Sequence, residues 1–167
     1  TAGRRLAGNP PEVVALVKDP VRFFPLLARI GIRHPQVSLL PPPSPGGWLV
    51  KQRGGAGGTH VRRCAGHGAR RGRYFQRFEP GRTLSLLFLA DGRRGFRLGV
   101  NEQWTAHHPA LPFLYSGAVG GVPLPAPVLD GLDQLLDRLV AATGIVGLNG
   151  LDFLLGGSEP LVLEINP

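Results

Sequence analysis

The chain has 167 residues, 43% of them hydrophobic, and a formal net charge of +8. That length holds one ordinary domain or two small lobes around a real core. No run is long enough to span a membrane, and no basic-then-apolar leader opens the chain, so the expectation is a cytoplasmic protein.

Residues 1–11 are polar and glycine-rich and read as a linker. Residues 11–31 read as two short helices. Asp19 is placed to cap the second, Pro20 fits its first turn and Gly31 its end. The proline-rich run 41–47 reads as a stiff loop, and 48–51 as a short strand ending in Lys51. Gly54, Gly55, Gly57 and Gly58 form a glycine loop that returns into a strand near Val61. The stretch 62–73 is basic and reads as loop. Residues 74–78 read as a strand and 79–81 as a turn. Residues 83–90 form a strong apolar strand, Asp91-Gly92 a hairpin turn, and 95–103 the strand that pairs back. Residues 104–126 are rich in Pro and Gly and read as irregular.

The clearest helix is 128–143, whose apolar positions 128, 129, 132, 135, 136, 139 and 140 keep one stripe; Gly144 ends it. Two apolar strands then face each other across Gly156-Gly157-Ser158. Several hairpins and few helices predict an α+β fold rather than a doubly wound parallel sheet.

The last hairpin carries the most chemistry. Strand side chains alternate faces, so Glu164 and Asn166 share a face and Asp152 can oppose them. Three hard oxygen donors fit magnesium, which commonly holds phosphates as well. Lys51 stands before the glycine loop, where backbone N–H groups can approach phosphate and an ammonium can add charge-assisted hydrogen bonds. The order differs from a Walker A loop, in which the lysine follows the glycines.

These elements, with the hinge-like run Tyr74-Phe75-Gln76-Arg77-Phe78-Glu79-Pro80-Gly81, resemble the ATP-grasp superfamily over residues 12–167. The resemblance is to carboxylate–amine ligases of the carbamoyl-phosphate-synthetase-like type. It implies a small lobe at 1–79 and a large lobe at 80–167, each an α+β unit with an antiparallel sheet, clasping ATP between them. It implies phosphate contact by Lys51, a lid made of Gly54, Gly55, Gly57 and Gly58, adenine at Gln76, Arg77 and Phe78, and Mg²⁺ on Asp152, Glu164 and Asn166. The implied reaction joins a small carboxylate to an amine or thiol through an acylphosphate.

There are departures from the family pattern. Gln76 stands where an acidic residue is usual, and Thr83 where the ribose glutamate is usual. An Asp-Lys pair is replaced by Asp19-Pro20; Lys18 and Arg22 lie nearby but are not assigned its role. Gly150 occupies the place of an arginine found in some ligases, which leaves Arg97 as the catalytic candidate to supply positive charge. A regulatory ATP-binding relative is therefore the second reading.

A nucleic-acid-binding domain is the third. Only Lys18 and Lys51 of the nineteen basic residues are lysine. Only Tyr74 and Phe96 interleave aromatics with the arginines, which argues against stacking on bases. His60, Cys64 and His67 fall short of a structural zinc set. The absence of Met and the end at Asn166-Pro167 suggest a fragment. Homo-oligomerisation is compatible with the sequence, and the substrates are not legible in it.

Overall fold

A computed structural model describes residues 7–66 and 70–167; residues 1–6 of the expected linker, and His67, lie outside them. Two helices open the described chain, α1 (Pro11–Lys18) and α2 (Pro20–Arg29). Asp19 separates them, and its carboxylate accepts from the Val21 N–H at 3.1 Å, as the sequence predicts for a cap.

A four-stranded sheet follows, built from β1 (Val37–Ser38), β2 (Trp48–Gln52), β3 (Val61–Arg63) and β4 (Arg73–Arg77) in the order β1-β4-β2-β3. The second sheet has five strands: β5 (Arg82–Asp91), β6 (Gly95–Thr105), β7 (Tyr115–Val119), β8 (Val146–Leu155) and β9 (Pro160–Asn166), in the order β7-β6-β5-β8-β9. The long helix α3 (Ala126–Thr143) lies between β7 and β8 in sequence. Every strand pair is antiparallel, so the α+β expectation is met.

The core lies under the larger sheet. Leu84, Leu86 and Phe88 of β5, Leu151 and Phe153 of β8, and Val162 and Ile165 of β9 alternate inward. The stripe Val128, Leu132, Leu135, Leu136, Leu139 and Val140 of α3 packs on them, joined by Val13 and Val17 of α1 and Phe23, Phe24 and Leu27 of α2. The opening helices thus contribute to the core of the second sheet. Gly144 closes α3 at φ +69°, with its N–H on the Val140 carbonyl at 2.8 Å; only glycine adopts this backbone freely.

Three expectations need correction. Residues 104–126 are not irregular throughout, because 115–119 forms the edge strand β7. Residues 37–38 add a short strand that the sequence analysis omits. Arg62 and Arg63 belong to β3 rather than to a loop. All three elements are sheet edges, where pairing with a neighbouring strand supplies the order and an apolar pattern is not needed.

Two bulges reset which way side chains point. On β9, Asp152 faces Glu164 while Phe153 faces Val162, so Leu163 is the extra residue. On β6, Leu87 faces Gly99 while Phe88 faces Arg97, so Leu98 is extra. Each bulge flips the alternation beyond it.

Leu132 is completely buried between α3 and the sheet. Leu132→Ala should cost about 3 kcal/mol, read in a thermal melt as a Tm roughly 6–12 °C lower; an unchanged Tm would show that this interface does not carry the fold.

Candidate functional site

A cleft of about 940 Å³ opens between the two sheets. The smaller sheet presents Leu49 and Lys51 of β2 and Tyr74 and Gln76 of β4 to it. These pair as Lys51 with Tyr74 and Leu49 with Gln76, so period-two alternation puts all four on one face. The larger sheet presents Asp152, Glu164 and Asn166. Thr83 lines the cleft as well.

The β9 bulge is what delivers Glu164. Val162 is in the core, so unbroken alternation would bury Glu164 too. The extra Leu163 lets Ile165 take the next core position and turns Glu164 and Asn166 to the cleft. Glu164 then stands directly across from Asp152, and Asn166 Nδ2 donates to Asp152 Oδ2 at 3.0 Å.

Asp152 has two further partners that sequence reasoning missed. Gln103 Nε2 donates to its Oδ1 at 3.1 Å, and Ser85, its cross-strand neighbour on β5, hydrogen-bonds its carboxylate. Burial nevertheless pushes the Asp152 carboxyl above its ordinary range, and Glu164 adds to the push. Two carboxylates held face to face in a half-closed cleft form a site that a cation would relieve. Both are hard oxygen donors, and the Asn166 carbonyl is a third; the set fits a magnesium-like ion. Among the described residues there is no cluster of three or more His, Cys, Asp or Glu, so this mixed set is the metal candidate. Of the rejected zinc trio, Cys64 is free and His67 lies outside the described residues.

Lys51 is 9% exposed. Burial drives its ammonium below the usual lysine range, opposed by Glu164 and then Asp152. The two carboxylates across the cleft thus partly offset what burial costs the ammonium. Tyr74, beside it, has its phenol pushed above the usual range by burial first and by Glu164 second.

The glycine loop lies over the mouth and lines the cleft with Gly54, Gly55, Gly57 and Gly58. It is docked on the opposite sheet: the Tyr115 N–H donates to the Gly57 carbonyl at 3.0 Å. Gly58 sits at φ +72°, and a Cβ there would run into the Phe113 carbonyl. Arg63 stacks beside this contact, 4.7 Å from the Phe78 ring centroid and 5.8 Å from that of Phe113. His60 returns the loop to β3, and burial, then Lys51, lowers its imidazole below the ordinary value.

Gln76 is 1% exposed, and its Oε1 has no hydrogen-bond partner within the protein. A buried acceptor left open is costly unless something donates to it; a ligand N–H in the cleft is the natural donor. The neighbouring backbone is less available than the sequence reading expects. The Arg77 N–H is already on Gln36 O at 2.8 Å, and the Phe78 N–H on Gly47 O at 2.9 Å. Both donors are consumed by packing against the segments beside β1 and β2, so an edge contact from this hinge falls to carbonyl oxygens and the Gln76 side chain.

Arg97 is not brought to the site. The Leu98 bulge turns it to the helix side of the sheet, beside Phe88. There Nε and Nη2 bind Asp133 of α3 at 2.8 and 3.0 Å. Lys18, left without a role by the sequence reading, does line the cleft and binds Asn166 Oδ1 at 2.8 Å. Sequence named it only as a neighbour of the Asp19-Pro20 position and not as a partner of the hairpin, because it comes from the last turn of α1, far along the chain from Asn166.

A family model described as an ATP-grasp domain matches residues 17–167. A protein from Archaeoglobus fulgidus assigned to the ATP-grasp superfamily superposes with a TM-score of 0.75 at 25% identity, covering 96% of this chain and 48% of that one. Phosphoribosylamine–glycine ligase from Thermotoga maritima gives 0.74 at 19% identity, covering 96% and 50%. An L-amino acid ligase from Bacillus licheniformis gives 0.74 at 18%, covering 96% and 43%. At those identities the two ligases share the fold alone, and the chain spans about half the length of these structures. No curated protein matches the sequence.

Lys51→Met should separate stability from binding. The folded protein depresses the lysine, so its ammonium is a cost present below the folded pKa and absent above the unfolded one. Removing it should raise the Tm of the ligand-free protein at neutral pH. The same change should weaken triphosphate binding by roughly tenfold to a hundredfold, as expected for a charge-assisted hydrogen bond. Calorimetry and titration read both, and a lower Tm with unchanged affinity would refute the account. Gly58→Ala, strained and blocked by Phe113, should undock the loop; faster amide exchange across 54–60 is the expected result, and unaltered protection would count against docking.

Proposed function

This chain belongs to the ATP-grasp family, and from that premise we propose that it binds Mg-ATP between its sheets and drives ligation of a small carboxylate to an amine or thiol. The observation that carries the reading is the convergence of Lys51, Gln76, Asp152 and Glu164 on one cleft. The sheet of β1–β4 would supply one jaw and the sheet of β5–β9 the other.

The adenine amino group would donate to Gln76 Oε1, the buried acceptor that lacks a partner. Lys51 would donate to phosphate oxygens, and the open backbone of Gly54, Gly55, Gly57 and Gly58 would cover them. Asp152, Glu164 and the Asn166 carbonyl would hold Mg²⁺. Bound there, Mg²⁺ would supply positive charge that offsets the charge building on the phosphates.

The substrate carboxylate oxygen attacks the γ-phosphorus, the bond to the β,γ-bridging oxygen breaks, and ADP leaves. The amine nitrogen then attacks the acyl carbon; phosphate departs and the nitrogen loses a proton. The docked glycine loop would keep water from the acylphosphate. No membrane is needed, and no helix among the described residues is long and apolar enough to cross one. The free Cys64 suits a cytoplasmic setting.

A regulatory ATP-binding relative is the second reading. It is favoured by Gly150 in the place of an arginine and by the commitment of Arg97 to Asp133. Of the arginines at 62–73 and 93–97 on which the nucleic-acid reading rests, Arg94 and Arg97 are paired with carboxylates of α3.

Glu164→Gln should lower Mg-dependent ADP release by roughly a hundredfold, the order seen for loss of one transition-state charge contact, with an unchanged circular dichroism spectrum. The assay couples ADP formation to a panel of amino acids and small carboxylates. Wild-type turnover in the variant would remove Glu164 from the mechanism, and ATP binding without ADP formation in the wild type would favour the regulatory reading.

A further inference from the structure

Lys18 closes α1 and reaches the same donor set. Its Nζ donates to Asn166 Oδ1 at 2.8 Å and stands 3.9 Å from Glu164 Oε2. The orientation of the Asn166 amide follows from its two neighbours. Its NH₂ faces the Asp152 carboxylate and its oxygen faces the Lys18 ammonium. The flipped amide would set donor against donor and acceptor against acceptor. The one lone-pair oxygen that Asn166 can offer a metal is therefore occupied by an ammonium.

The two lysines at this site differ. Lys51 is buried in a strand and held in place. Lys18 sits at a helix end with its side chain 37% exposed, and Glu164 is 40% exposed. A flexible four-carbon stem in that setting can release its head to water at little cost.

We propose that Lys18 is the resident cation of the Asp152–Glu164–Asn166 set, which a divalent ion must displace to bind. The inference rests on the metal assignment made above and deepens it. The metal-free site is neutralised from within the chain, and ion entry frees Asn166 Oδ1 and Glu164 together. By linkage, whatever tethers Lys18 to the set weakens the ion, and the ion loosens Lys18 by the same factor.

The test is Mn²⁺ binding to the nucleotide-free chain, read by loss of the free-ion electron paramagnetic resonance signal, in wild type, Lys18→Met and Asp152→Asn. A unit charge a few ångströms from a divalent ion in a well-solvated site acts on binding by about tenfold, so Lys18→Met should bind Mn²⁺ about tenfold more tightly. Its Tm should also rise more on Mn²⁺ addition than that of the wild type. Equal or weaker Mn²⁺ affinity in Lys18→Met, with wild-type binding abolished by Asp152→Asn, overturns this proposal and leaves the metal site standing. Weaker ATP binding with unchanged Mn²⁺ affinity would make Lys18 a phosphate contact instead and also overturns it. If no variant takes up Mn²⁺, with or without ATP, the metal assignment falls and this inference falls with it.

Discussion

Two carboxylates facing each other across one strand pair set the terms for the rest of the cleft. Asp152 and Glu164 are in register on β8 and β9, and neither can be paired by its own sheet. Ser85, Gln103 and Asn166 hydrogen-bond Asp152, which fixes its direction but does not neutralise it. The compensating charge comes from elsewhere: Lys51 from the other sheet and Lys18 from the helix before it. Lys51 and the carboxylates attract one another across the cleft, although burial outweighs that attraction for the lysine. In the proposed complex Lys51 stays and a divalent ion takes the place of Lys18 beside the two carboxylates.

The tendency of buried charges to destabilise a fold is visible in the directions of their titration. Lys51 is pushed down and Asp152 up, each toward its neutral form, with burial the larger cause in both. The protein holds them because the inward half of the larger sheet carries the stability. Phe88, Phe153, Val162 and Ile165 sit on the opposite face from the site, under α3. Separating a dry face from a charged one on the same strands is an ordinary use of β alternation, and it allows a strained site on a rigid support.

Much of this was legible in sequence. The α3 stripe, the Asp19 cap, the Gly144 stop and the two antiparallel hairpins follow from local chemistry, and the structure has them. The grouping of Lys51, the glycine loop, Gln76 and the last hairpin was implied by the family resemblance rather than by local chemistry, and all of them line one cleft. What sequence did not reveal were the two register changes. Counting by twos from Val162 sends Glu164 into the core, and counting by twos from Val100 sends Arg97 to the cleft; both counts fail at a bulge. A bulge leaves no fixed residue type behind it, since Leu163 and Leu98 look like any strand leucine. The edge strands β1 and β7 were missed for a related reason: their order comes from a partner strand. Lys18 was noticed only beside Asp19-Pro20, and its contact with Asn166, 148 residues away, could not be read from sequence.

Gln76 shows how little a site needs to change to alter its demands. A carboxylate at this buried position would titrate and would call for a cation or a proton. An amide stays neutral at every physiological pH and asks only for donors to its oxygen. With the Arg77 and Phe78 N–H groups spent on the protein itself, the hinge offers a base mainly acceptors, and an exocyclic amino group is the complement of an acceptor-rich edge. A base that presents a carbonyl there would meet Gln76 Oε1 lone pair to lone pair, unless the amide turned. In the proposed complex, preference among purines would therefore depend on which way one side-chain amide is held, and the strand pairing of Gln76 with Val37 and Leu49 limits its freedom to turn.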